Sequence, residues 1–312
     1  MTDNGVININ KPKGLTSHDV VAKIRKKLGI KRVGHTGTLD PMAEGVLPVC
    51  FGKATRIIEY YDADFKTYEA EMKLGIVTDT LDTTGTVIEE KKFKGITEET
   101  VRRVCSEFKG RITQTPPKYS ALKVNGKRLY EYARLGEEVE IKKREIFIED
   151  MLVDDVDIEN GTVKFTVCCS KGTYIRSICD DIGKKLGCGA CMSKLTRTAS
   201  GCFHISDAVE LSEFMEADED NLHDMILEMD DTLINLGIAT LKKESSYDFI
   251  NGRKIDVSEA EIVEEPKKVN DELTSKRFEV LYRIYDRSGS FMGIASIDRE
   301  NGSFDIEKVI YR

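Results

Sequence analysis

A twelve-residue segment at 34–45 constrains the possible structure and function of this chain more than any other part of its sequence. It reads GHTGTLDPMAEG and holds three glycines, one proline, one histidine and two carboxylates. Glycine and proline disfavour helix and strand interiors, so the segment predicts a loop, and the apolar run at 46–51 predicts a buried strand after it. A polar loop beside a buried strand is typical of a place where a rigid scaffold presents chemistry. A surface turn with Asp40 before Pro41 is the alternative interpretation.

Hydrophobic spacing in the rest of the chain alternates between strand and helix patterns. Ser17 is the predicted N-cap of the first helix. The predicted strands lie at 6–10, 67–75 and 163–169, and the predicted helices at 17–28, 54–61, 97–108 and 175–186.

The last stretch of about 75 residues changes character. Its apolar runs are short and are separated by turns rich in Asn, Gly, Asp and Ser, which is typical of a small β module. The predicted strands of this module lie at 255–257, 278–285, 291–297 and 304–310.

Length and composition indicate a globular protein. At roughly 150 residues per domain, 312 residues predict about two domains. The composition, 40% hydrophobic and 33% charged, is not that of a disordered chain. The N-terminus lacks the apolar core of a signal peptide, and no apolar run approaches the ~20 residues that a membrane span needs. We expect a soluble protein of the cytoplasm.

Charge is distributed unevenly along the chain. The net charge of −8 argues against a protein that coats nucleic acid by bulk attraction. However, residues 1–60 hold 10 Lys and Arg against 5 Asp and Glu, and residues 109–144 hold 10 against 4. Residues 205–235 hold 11 acidic residues and no Lys or Arg. Nucleic-acid binding therefore requires that the two basic segments share a face.

The eight cysteines follow no regular spacing, which favours reduced thiols. Cys188 and Cys191 have the C-x-x-C spacing of zinc sites and redox dithiols. A zinc ribbon needs a second such pair, and the sequence offers only the adjacent Cys168 and Cys169. Small buried residues are the favoured interpretation, and a metal-binding or redox module is the alternative.

Three features point towards RNA without proving that they meet in space. One is Asp40 in its glycine-rich loop, and another is Arg176 behind a Lys-Gly-Thr-Tyr turn. The third is a set of tyrosines, at 68, 119 and 174, near basic residues, a composition that stacks and holds nucleotides. Each feature also has a purely structural interpretation. Asp40 could be a turn residue, Arg176 a surface cation at a helix end, and the tyrosines half-buried strand or core residues.

Four segments resemble the TruB family of pseudouridine synthases, and the resemblance covers nearly the whole chain. They are KPKGLTS at 11–17, GHTGTLDPMAEGVLP at 34–48, Thr67-Tyr68 with Leu74-Gly75, and GTYIRS at 172–177. The second segment is the most specific. Weaker matches are PKYSALK at 117–123 and Arg197-Thr198 with Gly201.

The resemblance implies an α/β (α+β) fold. The catalytic domain would span 1–236, with a mixed, largely antiparallel sheet, flanking helices and a thumb-like insertion at about 109–144. A small PUA-like RNA-binding domain, rich in β-structure, would span 237–312. The implied activity is isomerisation of uridine 55 in the T-loop of tRNA, by base flipping and an aspartate-dependent cleavage and re-formation of the glycosidic bond. A monomer would act on the T-arm stem-loop without cofactor, metal, guide RNA or membrane.

The resemblance also assigns roles to individual residues. Asp40 would be the essential carboxylate, Arg176 would hold it in its charged form, and Tyr68 would stack on the target base and take a proton at C5. Tyr174 and Leu195 would line the uracil pocket, and His35 would fill the space left by displaced bases. The other expected RNA contacts are Lys11, Gly37, Thr38, Lys123 and Arg197.

Two positions depart from the family pattern. Thr196 stands where a second arginine is usual, which puts one phosphate contact in doubt, and Cys191 stands where histidine is more frequent. A guide-RNA-dependent relative is one alternative, disfavoured by the long basic segment at 109–144. An RNA-binding or folding-assistance protein is another, and it would need tRNA binding but not Asp40.

Overall fold

A computed structural model describes residues 3–63, 65–267 and 278–310. Its α-helices, in chain order, are α1 (Ser17–Leu28), α2 (Glu98–Ser106), α3 (Leu129–Leu135), α4 (Ile175–Lys185), α5 (Leu211–Glu216), α6 (Glu219–Asp224) and α7 (Ser245–Ile250). Short 3-10 helices lie at Gly52–Ala63, Ile205–Asp207 and Val257–Glu259. Within these ranges, no helix has the length and apolar character needed to span a membrane.

The strands of the described residues contribute to four sheets. In chain order they are β1 (Gly5–Lys11), β2 (Val33–His35), β3 (Glu44–Phe51), β4 (Lys66–Leu74), β5 (Ile76–Thr78), β6 (Val87–Glu90), β7 (Gly110–Gln114), β8 (Lys123–Val124), β9 (Lys127–Arg128), β10 (Arg144–Asp157), β11 (Thr162–Cys169), β12 (Ala190–Ser200), β13 (Phe203–His204), β14 (Val209–Glu210), β15 (Gly237–Leu241), β16 (Ile255–Asp256), β17 (Ala260–Glu264), β18 (Leu281–Tyr285), β19 (Phe291–Asp298) and β20 (Ser303–Val309).

The chain divides into two compact units. The first consists of Met1–Leu39, Val46–Asp64 and Ser200–Arg312, and the second of Asp40–Gly45 and Phe65–Ala199. In the first unit, β1 lies between β14 and β3, and β2 pairs antiparallel with β3. The C-terminal part of this unit forms a six-stranded sheet in the order β16-β20-β19-β18-β15-β17. The predicted β-rich C-terminal part is therefore confirmed.

The second unit is built on a mixed sheet in which β12, β4, β11, β10 and β7 follow one another. The first residues of β3 pair parallel with β12, whereas the β4–β11, β11–β10 and β10–β7 pairs are antiparallel. Strand β11 shows why these residues form a strand: Val163, Phe165, Val167 and Cys169 alternate with more exposed residues and are all fully buried. The predicted mixed, largely antiparallel sheet with flanking helices is confirmed.

One hydrophobic core of the first unit joins residues that are distant in sequence. Val6, Val46 and Tyr60 pack with Leu281 and Phe291 in a single buried cluster. A second cluster lies within the six-stranded sheet. The domain boundary between 236 and 237 stays a prediction.

The N-cap of helix α1 lies one residue earlier than predicted. The hydroxyl of Thr16 accepts a hydrogen bond from the Asp19 amide at 3.0 Å, and the Asp19 carboxylate accepts one from the Thr16 amide at 2.8 Å. This capping box makes Thr16 the N-cap, so the prediction of Ser17 was wrong by one position. Ser17 is instead buried, and its hydroxyl accepts a hydrogen bond from the Leu39 amide at 2.9 Å.

Some elements agree with the prediction and others were not predicted. The short helix predicted at 54–61 lies within the 3-10 helix Gly52–Ala63. Strands β7, β10 and β17 were not predicted, because much of their sequence is polar and faces solvent on one side. Helix α2, capped by Thr97, is confirmed.

All eight cysteines are free thiols, and six of them are buried. Burial raises the pKa of Cys50, Cys105 and Cys169 to about 12. In the described ranges, no group of three or more His, Cys, Asp or Glu side chains is placed to hold a metal ion.

We predict that Ellman's reagent, added to the native protein at pH 8, labels at most Cys168 and Cys202, which are half-buried. Buried thiols with raised pKa values supply little thiolate and little access, whereas all eight thiols should react in denaturant. Fast native labelling of Cys188 or Cys191 would contradict this and would favour a redox role for that pair.

Candidate active site

Glycine is required where the loop enters strand β3. Gly45 lies opposite Arg197 in the parallel pairing of β3 with β12. A Cβ atom at Gly45 would lie 2.3 Å from the carbonyl oxygen of Arg197, and its φ of +102° also disfavours other residues. The close approach of the two backbones therefore fixes the end of the segment that carries Asp40.

Asp40 and Arg176 form a bidentate ion pair within the second unit. The Nε atom of Arg176 lies 2.8 Å from Oδ2 of Asp40, and Nη2 donates to Oδ1 at 3.0 Å. The Arg176 side chain is 6% exposed, whereas the Asp40 side chain is 31% exposed. The arginine thus fixes both carboxylate oxygens from the protein side and leaves the carboxylate open to a ligand.

Arg176 has further partners that the sequence analysis missed. Its Nη1 donates to the carbonyl oxygen of Thr80 and its Nη2 to that of Tyr119, each at 3.0 Å. The Oδ2 atom of Asp82 lies 3.7 Å from Nη1. The buried guanidinium is therefore held by two carboxylates and two carbonyl groups, as a buried cation requires.

The loop after β5 is shaped to present Asp82. The Oδ1 atom of Asp82 accepts hydrogen bonds from the Thr80 hydroxyl and the Thr84 amide, both at 2.9 Å. Leu81, between Thr80 and Asp82, has a φ of +64°, a conformation that leucine rarely adopts. No role for this stretch was predicted from the sequence, although an aspartate among threonines was an available signal.

Tyr68, on β4, lies beside Arg197, on β12. The Tyr68 hydroxyl and the Arg197 side chain are hydrogen-bonded, and the negative charge of Asp40 also acts on the phenol. Burial raises the pKa of Tyr68 above its usual range, and the Arg197 guanidinium opposes that rise only in part. The phenol is therefore protonated near neutral pH.

The remaining candidates of the second unit lie in different environments. Tyr174 is half-buried at the N-terminus of α4, and Leu195 is buried on the same face of β12 as Arg197. Arg197 itself is 1% exposed, so its side chain lies beneath the surface and not on it. Lys123 is exposed on β8.

The candidates of the first unit include one unexpectedly buried lysine. Lys11 is fully buried, and its ammonium donates to the carbonyl oxygens of Pro12 at 2.9 Å and Leu15 at 2.7 Å. It therefore stabilises the turn that leads into α1.

The ring of His35 lies against that of His18, with centroids 5.6 Å apart. Gly37 is half-buried and Thr38 is exposed in the loop that follows β2. The RNA-binding roles assigned to His35, Gly37, Thr38 and Lys11 stay predictions.

Two family models match consecutive ranges of the chain. Residues 25–175 match the TruB family pseudouridylate synthase N-terminal domain. Residues 176–234 match the tRNA pseudouridylate synthase B C-terminal domain.

Proteins called tRNA pseudouridine synthase B are similar to this chain. That of Clostridium novyi is 42% identical over 98% of this chain and 99% of its own length. That of Alkaliphilus oremlandii is 45% identical over 81% of this chain and 83% of its own length. That of Bacillus pumilus is 50% identical over 71% and 73% of the two chains.

Solved structures share the fold over almost the whole chain. A chain in the crystal structure of a Cbf5-Nop10-Gar1 complex is 28% identical, with a TM-score of 0.75. A chain in the structure of an H/ACA RNP bound to a substrate RNA containing 2′-deoxyuridine is 26% identical, with a TM-score of 0.73. Each match covers 99% of this chain and 85% of the other.

The family matches place the chain in the class of pseudouridine synthases. Within that class, the identity over nearly its full length shows that the chain belongs to the TruB family.

We predict that Tyr68 makes stability depend on pH above the ordinary tyrosine range. Its folded pKa is raised, so its contribution to the free energy of unfolding is complete below about pH 10 and is lost as pH rises towards the folded pKa. Urea unfolding of the wild type and Tyr68→Phe from pH 8 to 11 checks this. The difference between them should be constant up to about pH 10 and should then shift in favour of Tyr68→Phe. A constant difference throughout would contradict burial of the phenol.

Proposed function

We propose that this chain isomerises uridine to pseudouridine in tRNA and that its target is uridine 55 of the T-loop. Membership of the TruB family supports the reaction and the class of substrate. The observation that carries the proposal is the bidentate ion pair between Asp40 and Arg176, in which the carboxylate remains accessible.

The reaction exchanges one glycosidic bond for another. The bond between N1 and C1′ breaks, the uracil turns, and a bond forms between C5 and C1′. C5 loses its proton and N1 ends with one, so no oxidant, reductant or imported group is needed. Attack by the carboxylate at C1′, attack at C6 and proton abstraction from C2′ all require an ionised Asp40. The guanidinium of Arg176 stabilises that ionised form and fixes both of its oxygens.

Tyr68 serves this chemistry as a stacking surface for the target base. Because the phenol is protonated near neutral pH, it is not a phenolate that could accept the C5 proton directly. It can accept that proton only if its hydroxyl proton is transferred to another acceptor at the same time. We assign Tyr174 and Leu195 to the walls of the uracil pocket.

Recognition of the folded tRNA requires that the target base leaves its stack, at a cost of a few kcal/mol. We assign His35 to the space left by displaced bases. The basic segments at 1–60 and 109–144 would contact phosphates, with the latter acting as the thumb and Lys123 as one of its contacts. Residues 237–312 would add contacts as a PUA-like domain. The long basic thumb segment supports an enzyme that needs no guide RNA, and we propose that it acts as a monomer.

Release of tritium from tRNA transcribed with [5-³H]uridine tests the reaction and its carboxylate. The wild type should release the label, because forming the C5 glycosidic bond expels it, and Asp40→Asn should release none while binding tRNA normally. Glu44→Gln is the matched control, since Glu44 is the exposed second carboxylate of the same segment, and it should keep wild-type release. A wild type that binds tRNA without releasing tritium would refute the proposed function.

We predict that Arg176→Lys lowers the single-turnover rate by ~100-fold or more. Lysine keeps the charge but lacks the planar fork that holds both oxygens of Asp40. The dissociation constant for tRNA, measured by filter binding, should stay within about twofold, because the buried Arg176 is not itself a surface contact. A lysine variant with an unchanged rate would show that positive charge alone suffices and that the bidentate geometry has no role.

A further inference from the structure

Gln114 holds the backbone of Tyr174 through two hydrogen bonds. Its Nε2 donates to the Tyr174 carbonyl oxygen at 3.0 Å, and its Oε1 accepts from the Tyr174 amide at 2.8 Å. Gln114 is 1% exposed, so water does not compete for either bond. The side-chain amide thus makes the same pair of hydrogen bonds to the Tyr174 backbone that a residue of a neighbouring strand would make.

Arg144 holds the ring of the same tyrosine. Its guanidinium lies over the Tyr174 ring, 5.6 Å from the centroid. A Cβ atom at Gly172 would lie 3.0 Å from Nη1 of Arg144, so the absence of a side chain at Gly172 leaves space for the guanidinium. Arg144, at the start of β10, and Gln114, at the end of β7, are register partners in the antiparallel pairing.

The two residues therefore bracket the segment 115–143, most of the predicted thumb. That segment leaves the sheet at Gln114 and returns at Arg144, so it begins and ends at Tyr174. Tyr174 is the N-cap residue of α4 and contributes no side-chain cap. Arg176 follows two residues later in the first turn of α4.

We propose that Gln114 and Arg144 are positioning residues, which fix the backbone and ring of Tyr174 in the uracil pocket. This rests on the proposed function. Both act through Tyr174, and neither needs to touch the reacting atoms. Because a misplacement of about 1 Å in a pocket can cost ~100-fold in rate, the hold on Tyr174 should be visible in catalysis.

Gln114→Leu tests the hold on the backbone, since leucine has a similar volume but neither donates nor accepts. The single-turnover rate at saturating enzyme should fall ~10- to 100-fold, and the dissociation constant for tRNA should stay within about twofold. In a Tyr174→Ala background the same change should lower the rate less than about threefold, because the ring that it positions is gone. A loss of equal size in both backgrounds would overturn the proposal.

Arg144→Met is the second variant, at a position that is only half-buried. Its rate should also fall, and the fall should also shrink in the Tyr174→Ala background. Arg103→Met is the matched control: Arg103 lies on α2 in the same unit, outside both basic segments, and pairs with Glu107 at 3.1 Å. It removes one positive charge and should leave the saturated rate within about twofold. Equal losses in Arg144→Met and Arg103→Met would contradict a specific role for Arg144.

Hydrogen exchange separates this inference from the proposed function, because it needs no turnover. In Gln114→Leu, the amide of Tyr174 loses its acceptor, so it should exchange at least about tenfold faster than in the wild type. Unchanged exchange would overturn the hold by Gln114 even if the wild type is active. If the Tyr174 amide exchanges faster in Gln114→Leu but the wild type releases no tritium, the hold by Gln114 is supported and only the proposed function is refuted.

Discussion

The buried guanidinium of Arg176 is the constraint on which the site depends. A cation whose side chain is 6% exposed is stable only when each donor has a partner, because desolvation of an uncompensated charge costs several kcal/mol. Its partners come from separate parts of the second unit: Asp40 from the glycine-rich segment, Thr80 and Asp82 from the loop after β5, and Tyr119 from the segment after β7. These loops are thereby tied to the first turn of α4.

In the same arrangement, the two members of the ion pair differ in their access to solvent. Arg176 is enclosed and fixed, whereas Asp40 keeps about a third of its side chain accessible. A carboxylate that is both oriented and accessible is what a nucleophile or base in RNA chemistry needs. Tyr68 is the opposite case, because its half-buried side chain carries a protonated phenol and is suited to contact a base through its ring. Charge therefore remains at Asp40, and the aromatic surface beside it stays neutral.

Sequence reasoning found the residues with a distinctive local motif and missed those whose role comes from long-range contacts. Asp40 and Arg176 stand in specific segments, so their pairing was expected. Thr80 and Tyr119 act through carbonyl oxygens, which every residue has, and Gln114 acts on a residue 60 positions away. No local pattern marks such contacts. Lys11 and Arg197 show the converse: both were expected at an RNA surface, yet their side chains are buried, because a motif does not record whether its cation faces solvent or a turn.

The position of pseudouridine in treated tRNA tests the central claim most directly. Unmodified tRNA transcript is incubated with the wild type, treated with a carbodiimide that marks pseudouridine, and read by primer extension. The account predicts one strong stop, one nucleotide 3′ of position 55, because only the uridine that the folded T-loop presents reaches the accessible carboxylate of Asp40. Stops spread over several uridines, or no stop with an enzyme that binds the tRNA, would contradict it.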